Sequence, residues 1–218
     1  QDPVFPICAE AAAVLAAPDF NPVAVMSNRQ EPDHGRIRQY TKLLFSNRRI
    51  HTLEPYIKRR AHELLDDMLA GTPPADFVGA LGYPLPGEVV FRFIGFPESD
   101  DQQLKDWCAN RLSFSWGQPT PAEQVDIAGK MLAYWRYVRE FAAHKRAEPG
   151  DDLASELIGY HVDHPDDLSY REVESILYGL SFAGHEPVTL LLGNSLLSLL
   201  PRRDAWRERH GPRRSPRA

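Results

Sequence analysis

The feature that most constrains this chain is the long apolar stretch from Ser169 to Leu200. Ser169 and Glu172 form the Ser-x-x-Glu pattern of a capping box, which marks the beginning of a helix. Beyond it, apolar residues fall on nearly every side of the predicted helix, which at 1.5 Å per residue would be roughly 45 Å long. A helix with this character is buried in the core of a large protein rather than lying on its surface.

The rest of the chain has the same helical character. Apolar residues recur at spacings of three and four between breaks marked by proline and glycine, and strand signals are scarce. The predicted fold class is therefore mainly α. Further helices are predicted at 11–17, at 33–45, from after Pro55 to Gly71, and at 87–94, 100–114 and 121–146, with a connector at 72–86 and a polar loop around His161 and His164 that is not assigned as a metal site.

Composition and charge exclude several classes of protein. The 218 residues are 43% hydrophobic and 25% charged, which is ordinary for a globular domain, and the net charge of -5 gives no case for nucleic-acid binding. Cys8 and Cys108 have no zinc-site spacing, so neither a disulfide framework nor a structural metal is expected. No apolar run is long enough to span a membrane and no secretory leader is recognised, so a cytoplasmic protein is predicted.

A glycine and a proline lie near the middle of the long predicted helix, in Ala183-Gly184-His185-Glu186-Pro187. Proline has no N–H to bond to the Ala183 carbonyl, and the two residues together cost a helix on the order of 4 kcal/mol relative to alanine. We therefore expect the helix to break or widen here, with a groove beside Gly184 where a flat ligand or dioxygen could reach the backbone. Glu186, if buried there, could relay protons. The alternative is a simple kink with His185 and Glu186 directed to solvent.

This cluster resembles the central I-helix motif of the cytochrome P450 family, (A/G)-G-x-(D/E)-T-(T/S), whose first four positions match residues 183–186. A second stretch, Glu31-Pro-Asp-His-Gly-Arg-Ile-Arg38 followed by Phe45-Ser-Asn-Arg-Arg-Ile50, is similar to the family's C-helix pattern P-E-H-x-R-L-R and F-(T/S)-x-R-x-(V/I). Weaker similarities lie at 12–19, 83–86 and 151–155. The order of these stretches along the chain is more specific than any one motif.

The resemblance implies the N-terminal part, through the I helix, of a haem-thiolate monooxygenase. Such an enzyme oxidises a small organic substrate with dioxygen and with electrons from NAD(P)H, delivered by a ferredoxin or a flavoprotein reductase. The resemblance further implies that Ala183 and Gly184 form the oxygen-side groove of a haem b and that Glu186 is the catalytic proton donor. His34 and Arg38 would bond the haem propionates, although a histidine and an arginine four residues apart are by themselves more typical of a solvated helix face.

The sequence departs from the family pattern in two places. The family's threonine after the acid is Pro187 here, and Thr189 lies about 200° further round the helix. The chain also ends before the family's Glu-x-x-Arg pair and cysteine loop, and neither Cys8 nor Cys108 has the neighbours of the iron ligand. We therefore expect the 218-residue chain itself to be inactive and to lack the thiolate-type Soret band in a carbon monoxide difference spectrum.

Two alternatives to an enzyme stay open at this point. Some P450-like proteins have lost the haem cysteine and stabilise a glycosyltransferase without catalysing a reaction, and the loss of the threonine at 187 slightly favours such an auxiliary protein. The other alternative is a non-functional truncated product. In either case residues 1–201 are interpreted as one partial P450-like domain, and the arginine-rich tail 202–218 as disordered.

Overall fold

The computed structural model describes residues 7–25, 29–109, 113–114 and 117–202. Its α-helices are α1 (Ala9–Leu15), α2 (Asp33–Leu44), α3 (Asn47–Ala70), α4 (Pro84–Ile94), α5 (Asp101–Cys108), α6 (Pro121–Ala147), α7 (Leu153–Asp163) and α8 (Tyr170–Leu199). A π-helical turn, Val78–Gly82, precedes α4, and a 3-10 turn, Glu98–Asp100, precedes α5. No strand occurs in the described residues, and the predicted mainly α class is confirmed.

The long helix α8 lies at the centre of the packing. It begins at the predicted capping box, in which the Ser169 hydroxyl accepts from the backbone N–H of Glu172 and the Glu172 carboxylate accepts from the backbone N–H of Ser169. It packs against α4, α6 and α7. The shared core contains aromatic and aliphatic side chains from these four helices: Phe91, Ile94, Tyr134, Trp135, Val138, Leu153, Leu157, Val173, Ile176, Leu177, Tyr178 and Phe182.

The two halves of α8 differ in burial. Buried residues occur from its first turn as far as Thr189, as the apolar pattern predicts. Beyond that point Leu190, Leu191, Leu197 and Leu200 are between 58% and 69% exposed. Leu190, Leu197 and Leu200 line an apolar cavity together with Val78. We expected the whole helix to be buried, but its buried residues lie in the first two thirds of α8, up to Thr189.

Several predicted element boundaries are wrong for local reasons. The helix predicted at 33–45 ends close to where it was expected, at Leu44, but the next helix begins earlier than predicted. The Ser46 hydroxyl accepts from the Arg49 N–H at 3.4 Å, so α3 begins at Asn47 and continues through Pro55. His161 was expected in a polar loop but lies in the last turn of α7, whose beginning is capped by Asp152, which accepts from the Ser155 N–H at 2.9 Å.

Some predictions concern parts of the chain that lie outside the described residues. The helix predicted at 100–114 is seen as α5 up to Cys108, and residues 110–112 and 115–116 are not described. The predicted disordered tail falls almost entirely in 203–218, which is likewise not described. None of the helices in the described residues is both long enough and apolar enough to cross a membrane. The cytoplasmic location stays a prediction.

Candidate functional site

The five residues from Ala183 to Pro187 point to different sides of α8. Ala183 and Pro187, one turn apart, are exposed and continue into the exposed face that carries Leu190. His185 is fully buried, whereas Gly184 and Glu186 lie at the edges between the two sides. The site therefore presents small apolar groups outward and its histidine inward.

His185 is held against the beginning of α4. Its Nε2 lies 2.8 Å from the carbonyl oxygen of Tyr83, and the centroids of the two rings are 4.3 Å apart. Because a carbonyl oxygen only accepts, Nε2 must carry the proton. Burial lowers the pKa of His185, which keeps the imidazole neutral. The alternative in which His185 is directed to solvent is therefore wrong.

The close packing of α8 against α4 requires a glycine at position 184, which the sequence alone did not show. A Cβ at this position would lie 2.5 Å from Cγ2 of Val90, so only glycine lets α4 approach α8 this closely. The predicted groove beside Gly184 is thus occupied by Val90 on that side. The assignment of Gly184 and Ala183 to the oxygen side of a haem stays a prediction, and Ala183 is the better placed of the two because it is exposed.

The predicted break in the helix is wrong, since α8 runs without interruption from Tyr170 to Leu199 through Pro187. Proline removes one backbone donor but need not end a helix when neighbouring groups support it. Here the Thr189 hydroxyl donates to the His185 carbonyl at 3.1 Å, and the His185 side chain bonds to Tyr83. These contacts hold the backbone on both sides of the proline.

Glu186 lies near the beginning of α4. Burial raises the pKa of Tyr83 to about 12, and the negative charge of Glu186 contributes further to that rise. Glu186 is itself only partly buried. It could therefore exchange protons with both the interior and the exposed face of α8, and its catalytic role stays a prediction.

His34 and Arg38 lie on one face of α2, one turn apart. Arg38 is exposed, and within the described residues no carboxylate lies close enough to pair with it, whereas His34 is about one third exposed with Nδ1 4.0 Å from a Glu31 oxygen. Arg36, between them in sequence, points elsewhere and bonds to Glu172 at 2.7 Å. The face that carries His34 and Arg38 is therefore available to an anionic group.

A buried ion cluster at the beginning of α8 was missed by sequence reasoning. The Glu172 side chain is 6% exposed and lies 2.7 Å from Nη2 of Arg36 and 3.3 Å from Nη1 of Arg29. Burial alone would raise the pKa of Glu172, but hydrogen bonds from Arg36 and Ser169 lower it to about 2. Because Glu172 also caps α8, this cluster fixes α2, and with it His34, relative to α8.

The residues present fit part of what a haem requires. His34 and Arg38 have the cationic donor groups that bond carboxylates, and they are accessible. A thiolate ligand is not supplied by Cys8, whose sulfur caps α1 by accepting from the Ala11 N–H at 3.4 Å, or by Cys108, which is fully buried in the core. In the described ranges no group of three or more His, Cys, Asp or Glu side chains could hold a metal ion.

No protein-family model matches the chain, but individual proteins resemble it over most of its length. Cytochrome P450 107B1 of Saccharopolyspora erythraea is 35% identical over 184 residues, which are 84% of this chain and 43% of that protein. Nocardicin C N-oxygenase of Nocardia uniformis subsp. tsuyamanensis is 31% identical over 189 residues, which are 87% of this chain and 46% of that protein. The chain thus spans somewhat less than half the length of these relatives.

Solved structures agree with the sequence relatives. The structure of cytochrome P450 CREJ in complex with (4-ethylphenyl) dihydrogen phosphate matches 95% of this chain with a TM-score of 0.87 and 30% identity, and the match covers 52% of that protein. The structural similarity thus extends over nearly the whole chain. The chain belongs to the cytochrome P450 family.

Proposed function

We propose that this chain is the N-terminal half of a haem-dependent monooxygenase that inserts one oxygen atom from dioxygen into a small organic molecule. Its relatives include, besides the N-oxygenase, the Erythromycin C-12 hydroxylase of Saccharopolyspora erythraea, which is 35% identical over 169 residues. Electrons would come from NAD(P)H through a ferredoxin or a flavoprotein reductase. The alternative of an auxiliary protein for a glycosyltransferase has no support among these relatives.

The observation that carries the proposal is the exposed pair Ala183 and Pro187 on an unbroken central helix. A bound haem would supply the chemistry that activates dioxygen. The small side chain of Ala183 lets a flat group approach the helix backbone closely. Pro187 leaves the Ala183 carbonyl without its usual amide donor, so this oxygen can accept a hydrogen bond from a water or a substrate hydroxyl.

The remaining residues would act around that face. His34 and Arg38 would donate to the two haem carboxylates and so orient the group. Glu186 would pass protons from the edge of α8 to the exposed face. Since position 187 carries no hydroxyl, a water held by the Ala183 carbonyl, or a substrate hydroxyl, would complete the proton path.

Haem retention tests the assignment of His34 and Arg38. We expect a full-length version of the protein to bind haem with a thiolate-type Soret band in the reduced carbon monoxide complex. The double variant His34→Ala, Arg38→Ala should lose haem about tenfold faster to apomyoglobin, because two charge-assisted hydrogen bonds are removed. A matched control is His51→Ala with Arg59→Ala, which removes the same groups from exposed positions of α3. Equal haem loss in both double variants would refute the assignment, and a full-length protein without the thiolate-type band would refute the proposed function.

The substitution Pro187→Thr tests the proton path. A threonine hydroxyl next to Glu186 is expected to raise the fraction of consumed NADPH that appears as product, because it would carry a proton from Glu186 to the exposed face of α8 more directly than a water. The measurement compares NADPH consumption with product and hydrogen peroxide formed by the full-length enzyme. Val188→Thr, one residue further round the helix, is the control and should leave this ratio unchanged. A lower or unaltered ratio in Pro187→Thr would contradict a role for a hydroxyl at this position.

A further inference from the structure

The middle of α8 is the part of the helix whose backbone has the least intrinsic support. Pro187 removes one amide donor, and Gly184 is the residue with the greatest backbone freedom. The helix nevertheless continues through both residues. Contacts from outside the helix backbone must therefore hold this segment in place.

His185 makes the most specific of these contacts. It is the fully buried side chain among the five residues of the cluster, and its Nε2 bonds to the Tyr83 carbonyl at 2.8 Å. Its ring lies between the ring of Tyr83, at 4.3 Å, and that of Phe91, at 6.0 Å between centroids. Both partners belong to α4 or to the residue that begins it.

The surface of α4 has a notch where the imidazole ring sits. A Cβ at Gly87 would lie 3.0 Å from Nε2, 3.1 Å from Cε1 and 3.3 Å from Cδ2 of His185. The contact is reciprocal, because Gly184 of α8 leaves room for Val90 of α4. Each helix thus has a glycine where the other places a side chain, and turning α8 by one residue would bring side chains into collision at both points.

We propose that His185 is a positioning residue that fixes the rotation of α8 about its own axis. The imidazole ring of His185 sits in the Gly87 notch and bonds to Tyr83. These two contacts direct Ala183 and Pro187 to the exposed side of α8 and leave Glu186 between its buried and exposed sides. The importance of this orientation for catalysis rests on the proposed function. The packing itself does not, and it can be tested without haem.

The protonation state follows from the same contacts. Nε2 donates to the Tyr83 carbonyl, while Nδ1 is buried without a hydrogen-bond partner in the described residues. His185 must therefore be the neutral tautomer with its proton on Nε2. Nitrogen-15 spectra of the chain should show this tautomer for His185, whereas the exposed His51 serves as an internal reference that averages both tautomers. A His185 with its proton on Nδ1 would contradict the proposed bond.

A double-mutant cycle tests the notch in the 218-residue chain. Gly87→Ala is expected to raise the equilibrium constant of unfolding at least tenfold, since its methyl group would press on the imidazole. In the His185→Ala background the same change should have little effect, because the ring is gone. Gly129→Ala, whose added Cβ would meet no atom within 4 Å, is the matched glycine control. Additive effects of the two substitutions would overturn the proposal.

Thiol labelling tests the rotation itself, which a merely stabilising residue would not control. The single cysteines are introduced in a Cys8→Ser background. A cysteine that replaces Ala183 should react quickly with a maleimide, because this position is exposed. A cysteine that replaces Thr189 should react slowly, because this position is 8% exposed. Adding His185→Leu should reduce this ratio of rates at least tenfold, and His185→Gln, which can still donate to Tyr83, should restore much of it. An unchanged ratio in a folded His185→Leu variant would refute the positioning role and leave the proposed monooxygenase activity unaffected.

Discussion

Replacing Glu172 with glutamine is expected to remove on the order of 3 kcal/mol of stability at neutral pH. The carboxylate is 6% exposed and bonds to Arg36, and its pKa of about 2 lies well below the usual value of 4.5. This difference, at 1.36 kcal/mol per pH unit, measures how much more strongly the folded state binds the charged form. Glutamine can still accept from the Ser169 N–H, so the loss reports the negative charge of Glu172, which Arg36 and the cap both stabilise. Urea unfolding followed by circular dichroism measures it.

The same substitution has a defined pH dependence. Because the folded-state pKa of Glu172 is lowered, the stabilisation is fully present above pH 4.5 and is lost as the pH falls from 4.5 to about 2. The stability curves of the native chain and of Glu172→Gln should therefore converge at about pH 2. Glu123→Gln is the matched control, since Glu123 occupies the equivalent capping-box position of α6 but is exposed and, among the described residues, bonds to Thr120 alone. Parallel curves for Glu172→Gln and the native chain would show that the cluster does not stabilise the fold.

Replacing Glu88 with glutamine should destabilise the chain by about 3 kcal/mol, the range for breaking a buried ion pair. Glu88 is 4% exposed and joins three helices, with Arg60 of α3 at 2.6 Å and Lys105 of α5 at 3.1 Å from its oxygens. Burial alone would raise its pKa, but these two cations lower it. The substitution would remove the carboxylate that Lys105 pairs with and leave Arg60 paired with the more exposed Glu63 at 3.2 Å, in a mostly buried site. Thermal unfolding at neutral pH measures the effect.

Two further variants show whether the cost comes from burial. Glu63→Gln removes a carboxylate that also pairs with Arg60 but whose side chain is 42% exposed, so it should change stability little. The triple variant Glu88→Leu, Arg60→Met, Lys105→Met should recover most of the loss, since apolar groups of similar volume can replace a buried ion cluster. If Glu88→Gln costs no more than Glu63→Gln, the three helices are not held together by this cluster.

Local patterns in the sequence were sufficient wherever the cause of a structure is local. The capping box at Ser169 and the three- and four-residue spacing of apolar side chains predicted where α8 begins and how far it extends. The order of the motifs along the chain identified the family. His161 shows the limit of this approach, because α7 continues to Asp163 where a polar loop was expected.

Contacts between distant residues could not be predicted in the same way. Glu172 and Arg36 are 136 residues apart, and nothing in either segment indicates the other. His185 likewise meets Tyr83 across 102 residues, so its burial depended on where α4 came to lie. The packing of Gly184 against Val90 was missed for the same reason, since that contact forms only in the folded chain.

The amino-acid sequence by itself determined the helical class, the beginning of the central helix and the family, because periodicity, capping and motif order are properties of neighbouring residues. Only the tertiary structure decided that α8 continues through Pro187, that His185 lies on its buried side, and that Glu172 of α8 pairs with Arg36 of α2. A proline inside a helix removes one backbone hydrogen bond, but whether the helix ends there depends on side chains contributed by other helices.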